Sequence, residues 1–148
     1  MHGGVLSPKL FAIFVDDLSH KINSRDLGCH MSLQCTSIFL YADDILLVAS
    51  SVHMLQEMLN CCETELMWLD MCINAKKSAC IRFGSRYDTD CFQIVTANGD
   101  IIEWANSILY LGVYFVSGRF LNATGTMPNL ATIVLLTPYS DVLVDLLL

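Results

Sequence analysis

The sequence predicts an α+β fold in which an antiparallel sheet is backed by two helices. Two segments have apolar residues at helical spacing, and several short apolar segments rich in Ile, Val, Phe and Tyr are separated by turn residues. The 148 residues suffice for one core, and 54% of them are hydrophobic against 16% charged. This composition excludes intrinsic disorder of the whole chain.

The first helix is predicted from about Pro8 to Lys21. Gly3 and Gly4 form a flexible loop before it, Ser7 can cap it, and Pro8 suits the first helical position. Apolar residues then recur at helical spacing.

A loop and a hairpin are predicted next. Residues 22–37 have no clear hydrophobic period and are interpreted as a loop. From Ile38 the sequence reads IFLYADDILLVA, which predicts two strands with Asp43 and Asp44 at the tip of their hairpin. Ionised groups beside apolar strands are costly unless they have partners. The pair therefore indicates a divalent cation site or, alternatively, a solvated turn.

The next segment predicts a second helix and further hairpins. Val52 begins an amphipathic pattern with steps of three and four that continues to Leu69, with Ser50 or Ser51 as the cap. A polar turn at 74–78, a strand at 79–83, a hairpin around Asn98-Gly99 and a hairpin over 108–116 follow.

The tail, residues 120–148, is predicted to be an unassigned hydrophobic segment after a domain of residues 1–119. Residues 130–148 are almost entirely aliphatic, but two Asp and a Pro disfavour a membrane span. Because the segment has neither a helical stripe nor strand alternation, we expect it to pack loosely or not at all on the domain.

The charge balance limits the function classes. Eight Lys and Arg stand against fifteen Asp and Glu, giving a net charge of −7, which argues against a freestanding nucleic-acid binder that acts by neutralising phosphates. Lys76, Arg82 and Arg86 form the one basic cluster, which is expected to suit a nucleic-acid backbone. Asp16 and Asp17 are expected on the solvated face of the first helix.

The seven cysteines indicate a reducing, intracellular environment, in the nucleus or the cytoplasm. They form an odd set without a C-x-x-C pair. Cys29, His30 and Cys35 lack a second pair at zinc-finger spacing, so buried free thiols are favoured over a zinc site.

Four motifs, in order, resemble the reverse transcriptase domain of non-LTR, LINE-like retrotransposons. Residues 3–11 resemble its G-G-x-L-S-P-x-L-F signature, and residues 41–44 resemble its Y-A-D-D catalytic hairpin. Residues 72–78 resemble its N-x-x-K-[ST] motif after an amphipathic helix, and residues 109–113 resemble its Y-L-G primer-grip hairpin. The resemblance covers residues 3 to about 119 and implies an incomplete polymerase palm, which catalyses RNA-templated DNA synthesis by nucleotidyl transfer.

The resemblance also implies roles for ten residues. In the complete family site, Asp43 would be a ligand of both Mg²⁺ ions and Asp44 a supporting carboxylate at the metal site. Lys77 would lie close to the phosphates of the incoming nucleotide. The positions implied beside template, nucleotide or primer are Gly3, Gly4, Ser7, Pro8, Tyr41, Leu111 and Gly112. The implied partners are an RNA template, a DNA primer and deoxynucleotides. A packed strand tyrosine and a solvated turn lysine remain alternatives for Tyr41 and Lys77.

The sequence departs from the family pattern at its start. A fingers segment and an upstream strand with a further metal-binding Asp are not among the 148 residues, and His2 stands where the family usually has Gln. Adjacent strand residues point to opposite faces, so Asp43 and Asp44 need a carboxylate from a second strand to hold two ions. We therefore expect this chain to be inactive alone. The alternatives are a non-catalytic palm remnant with a binding or structural role, and a small membrane-associated protein.

Overall fold

Two helices and twelve strands form the part of the chain that a computed structural model describes, residues 6–25, 27–31, 34–41, 44–119, 130–136 and 138–140. The helices are Leu6–Ser24 (α1) and Val52–Met67 (α2). The strands are Cys29–Met31 (β1), Gln34–Thr36 (β2), Ile38–Tyr41 (β3), Asp44–Ala49 (β4), Met71–Ile73 (β5), Ala79–Gly84 (β6), Ile94–Val95 (β7), Ile101–Trp104 (β8), Ser107–Tyr110 (β9), Val113–Val116 (β10), Leu130–Leu136 (β11) and Pro138–Ser140 (β12).

The largest sheet among these strands has six members in the order β3-β4-β11-β6-β8-β7. Its pairs are antiparallel except for β6 and β8, which are parallel. The α+β fold predicted from the sequence is confirmed. β4 and β6 do not pair with each other, because β11 lies between them and pairs with both.

The side chains of β4 are buried on both faces of this sheet. Ile45 and Leu47 pack with buried residues of α1 and α2, and Leu46 and Val48 pack on the opposite face with residues of β6 and β9. This alternation follows from the two-residue period of a strand. The helices therefore cover one face, and the β9–β10 hairpin covers part of the other.

Helix α1 packs through Leu18 and Ile22, which lie four residues apart and are fully buried. Its last turn is joined to its neighbours by an ion pair of 2.8 Å between Lys21 Nζ and Glu65 Oε2 of α2, and by a hydrogen bond from Ser37 Oγ to Asn23 Oδ1. The helix extends beyond the predicted 8–21 at both ends. Asp16 and Asp17 are exposed on it, as expected.

Helix α2 begins and packs as the sequence predicts. The backbone N–H groups of Met54 and Leu55 donate to Ser51 Oγ at 3.2 Å and to Ser51 O at 3.0 Å, which confirms Ser51 as the cap. The buried stripe includes Leu55, Leu59 and Leu66. These positions recur with the helical period and face the sheet.

Two polar side chains of α2 attach the helix to the loop and strand around β7. Gln56 Nε2 donates to Val95 O at 2.8 Å, and Val95 N donates back to Gln56 Oε1 at 2.9 Å. Ala97 N lies 2.9 Å from both carboxylate oxygens of Glu63. Burial raises the pKa of Glu63, and the hydrogen bond from Ala97 opposes that shift.

The prediction of a loop over 22–37 is wrong. Helix α1 continues through Ser24, and β1 and β2 form an antiparallel pair with Cys29 opposite Thr36. Each of these strands has three residues, which is too short for a hydrophobic period to be recognised. β5, at Met71–Ile73, also lacks a recognisable pattern for this reason.

The expectation that the tail packs loosely is wrong for its first described segment. Leu130–Leu136 is a central strand, and β12 continues the pairing with Pro138 opposite Ile73 of β5. The sequence LATIVLL contains Ile, Val and Thr, which favour strands, so it fits this position. Residues 120–129, 137 and 141–148 lie outside the described ranges, and the domain boundary at 119 stays a prediction.

Deleting residues 123–148 should abolish cooperative unfolding. β4 and β6 would lose their shared partner, and each ladder hydrogen bond contributes about 0.5 to 1.5 kcal/mol to a total stability of about 5 to 15 kcal/mol. Denaturation in urea followed by circular dichroism measures the effect. Deleting residues 141–148 is the control, because it leaves β11 and β12 in place. An unchanged transition in the longer deletion would contradict the role of β11.

Glu63→Gln should change how the free energy of unfolding depends on pH. Because the folded-state pKa of Glu63 is raised, the folded chain binds this proton more tightly than the unfolded chain. The stabilisation is present below the unfolded value of about 4.3 and is lost as pH rises through the folded pKa. Urea denaturation across that range should show the loss in the wild type and not in the variant. Glu57→Gln, at an exposed position of α2, should keep the wild-type profile.

Candidate active site at the end of the β3–β4 hairpin

The candidate site lies where β3 and β4 meet. Tyr41, the last residue of β3, pairs with Asp44, the first residue of β4. Tyr41 is 59% exposed and Asp44 is half-buried. Ala42 and Asp43 join the two strands in sequence but lie outside the described residues. The predicted hairpin is thus confirmed, with Asp44 at its end.

Tyr110 of β9 lies beside Asp44. Its side chain is 8% exposed and packs in the cluster that includes Leu46 and Ile108. Burial raises the pKa of Tyr110, and the nearby negative charge of Asp44 raises it further. Leu46 follows Asp44 by two residues, so both positions share the face that β9 covers.

The turn that follows Tyr110 is a tight two-residue connection. Tyr110 pairs with Val113, which leaves Leu111 and Gly112 between the strands. Both have positive φ, 52° and 78°, as a type I′ turn requires. A Cβ at Gly112 would meet no atom within 4 Å, so the constraint on this glycine is conformational.

Lys77 lies at the same end of the main sheet as Asp44. Ala79 of β6 and Leu46 of β4 are both opposite Leu135 of β11, and Lys77 and Asp44 each precede these residues by two positions. With one strand between them, β4 and β6 are about 10 Å apart. Lys77 N donates to Asn74 O at 3.0 Å, and this turn leaves the Lys77 side chain exposed.

A family model described as reverse transcriptase (RNA-dependent DNA polymerase) matches residues 1–115. The chain belongs to the reverse transcriptase family. No curated protein and no solved structure matches it.

The structure brings together several of the positions expected from the reverse transcriptase resemblance. Tyr41, Asp44, Lys77, Leu111 and Gly112 all lie at one end of the main sheet. Two hairpins and one turn each reverse the chain at that end, and β11 aligns β4 with β6.

The remaining expected positions either lie in α1 or fall outside the described residues. Gly3, Gly4 and Asp43 are outside the described ranges. Ser7 and Pro8 belong to the first turn of α1, which begins at Leu6. Ser7 therefore follows the first helical residue and is not the N-cap that the sequence predicts.

The described residues do not fit a site for two metal ions. No group of three or more His, Cys, Asp or Glu side chains that could hold a metal ion occurs within the described ranges. Among the described residues, Tyr41 is paired with Asp44 and Tyr110 is close enough to feel its charge. Hard cations such as Mg²⁺ prefer carboxylate and water oxygens, so this part of the chain leaves the set of ligands incomplete.

The basic residues do not form the single cluster that the sequence predicts. Lys76 and Lys77 precede β6, whereas Arg86 follows it, and a strand of this length spans about 17 to 20 Å. Arg82 Nη2 donates to the backbone oxygens of Tyr87 and Thr89, and its guanidinium lies 5.3 Å from the ring centroid of Trp104. Arg82 thus orders the loop after β6.

Sequence reasoning missed a cavity at the other end of this sheet. It has a volume of about 470 Å³, and its lining includes Ser51, Arg82, Arg86 and Phe92. These residues come from the start of α2, from β6 and from the loop after β6. No sequence pattern joins them, because they meet only when β4 and β6 are placed in one sheet.

Asp44→Asn should lower the pKa of Tyr110. The substitution removes the negative charge of Asp44, which raises this pKa, while burial, the larger cause, keeps the pKa above its ordinary value. NMR titration with ring-labelled tyrosine measures the shift. Asp88→Asn, in the exposed loop after β6, is the matched control and should leave Tyr110 unchanged. An unaltered Tyr110 titration in Asp44→Asn would contradict the proximity of the two groups.

Proposed function

We propose that this chain is a palm segment of a LINE-like reverse transcriptase and does not synthesise DNA by itself. The reverse transcriptase match over residues 1–115 supports the ancestry. The four motifs at 3–11, 41–44, 72–78 and 109–113 support the LINE-like subtype. The present state is then a non-catalytic remnant of an RNA-templated DNA polymerase.

The observation that carries the proposed inactivity is that the described residues contain no group of three or more side chains able to hold a metal ion. Two-metal nucleotidyl transfer needs carboxylates that clamp both ions, and these must come from more than one strand because successive residues of one strand face opposite ways. Within the described part of the chain, Asp44 belongs to no such group. Asp43 can add a ligand, but it adjoins Asp44 in the same hairpin.

The proposed ligands follow from the same resemblance. In the complete family site, Asp43 and Asp44 would hold Mg²⁺, and Lys77 would contact nucleotide phosphates. Tyr41, Leu111 and Gly112 would lie near the primer end. The common location of the described members of this set supports these assignments. An RNA template, a DNA primer and deoxynucleotides are the proposed partners of the whole enzyme.

A membrane-associated protein is the less favoured alternative. Neither helix of the described part is long and apolar enough to cross a membrane. The apolar residues of β11 are accounted for by a central strand. We propose a nuclear or cytoplasmic location, which the free thiols of Cys61, Cys62 and Cys80, all buried, support.

Primer extension tests the proposal. The 148-residue chain, incubated with a primed RNA template, Mg²⁺ and all four deoxynucleotides, should incorporate no nucleotide above background. Asp43→Ala is the control variant, and the two proteins should be indistinguishable. Template-dependent extension by the wild type that disappears in Asp43→Ala would refute the inactivity while supporting the family assignment.

A further inference from the structure

The strand that pairs with β4 determines which side chains can bind a metal ion together with Asp44. β3 pairs with one edge of β4 and ends at Tyr41, so the other edge is where a second strand can approach. In this chain β11 occupies that edge and pairs with five successive residues, Ile45–Ala49. A ligand from a second strand must therefore come from β11 or from a strand that replaces it.

The register identifies the position on β11 that adjoins Asp44. Leu135 is opposite Leu46, which lies two residues after Asp44. Positions 46 and 135 share a face of the sheet, and so does Asp44. Diagonal neighbours of this kind are about 7 to 8 Å apart, a separation that two carboxylates can bridge through metal ions bound at about 2 Å. Leu136 is opposite Ile45 and belongs to the other face.

We propose that β11 keeps the metal site at Asp44 incomplete by filling the second-strand position with Leu135. Residues 130–136 read LATIVLL and contain no carboxylate. β11 joins β4 and β6 into one sheet and thus also occupies the position between them. A carboxylate-bearing strand from another segment has to displace β11 to reach Asp44. This inference rests on the proposed function, because it explains why the chain is inactive.

Leu135→Asp in the full chain tests the inference. The added carboxylate should raise the affinity for Mn²⁺ about tenfold or more over the wild type, because affinity for hard cations grows with the number of charged ligands. Mn²⁺ binding is measured by electron paramagnetic resonance, and the dependence of the melting temperature on Mn²⁺ provides a second readout. The gain should vanish in the double variant Leu135→Asp/Asp44→Asn.

Three matched variants separate position from chemistry. Leu135→Asn has nearly the same shape without the charge, and Leu136→Asp has the same charge on the opposite face. Neither should gain Mn²⁺ affinity. Leu135→His, whose neutral imidazole is less costly to bury, should gain Zn²⁺ affinity in the same Asp44-dependent way.

The outcomes are decisive in either direction. Equal gains in Leu136→Asp and Leu135→Asp, or no Asp44-dependent gain in either Leu135 variant, would overturn the inference. Failure of both Leu135 variants to fold with or without metal would also overturn it, since position 135 would then belong to a closed core. Primer extension by the wild type tests the proposed function separately, because it needs no substitution in β11.

Discussion

The pairing of β11 with both β4 and β6 is the interaction on which the rest of the structure depends. β4 begins at Asp44, and β6 follows the turn that contains Lys77, but the two strands have no ladder in common. Their separation and register are set through β11. The segment that aligns the candidate site therefore lies beyond residue 115, where the reverse transcriptase match ends. A part of the chain outside the recognised motifs controls how those motifs are arranged.

The two faces of the main sheet have different roles. On one face, α1 and α2 bury a large apolar cluster, with Lys21 and Glu65 joining the helices at its margin. On the other face, the β9–β10 hairpin brings Tyr110 to the end of β4. The phenol of Tyr110 can donate a hydrogen bond, and burial and the charge of Asp44 raise its pKa further above the ordinary value.

Much of the local structure could be predicted from the sequence because it depends on short-range patterns. Helix α2 is specified by its apolar period and by Ser51, and the β9–β10 turn by Gly112. The short strands β1 and β2 carry too few residues for such a pattern. Strand β11 is mostly apolar, but its place between β4 and β6 depends on partners far away in the sequence. Its composition alone does not identify those partners.

The same difference between short-range patterns and long-range partners explains which parts of the candidate site could be predicted. Asp44 and Tyr41 are neighbours through one hairpin, so their proximity follows from the YADD segment. The approach of Tyr110 to Asp44, in contrast, depends on how several elements assemble. The family motifs indicate functions for residues around β4 and β6. They do not indicate that β11 lies between these two strands.

The late position of β11 in the sequence has a consequence for synthesis on the ribosome. β4 and β6 emerge well before residues 130–136, so each has an unpaired edge during translation. Making residues 85–136 takes roughly 3 to 10 s at about 5 to 20 residues per second. During that interval a nascent chain presents two apolar strands that attract chaperones or other nascent chains. The two strand edges are thus paired only after residues 130–136 have been made.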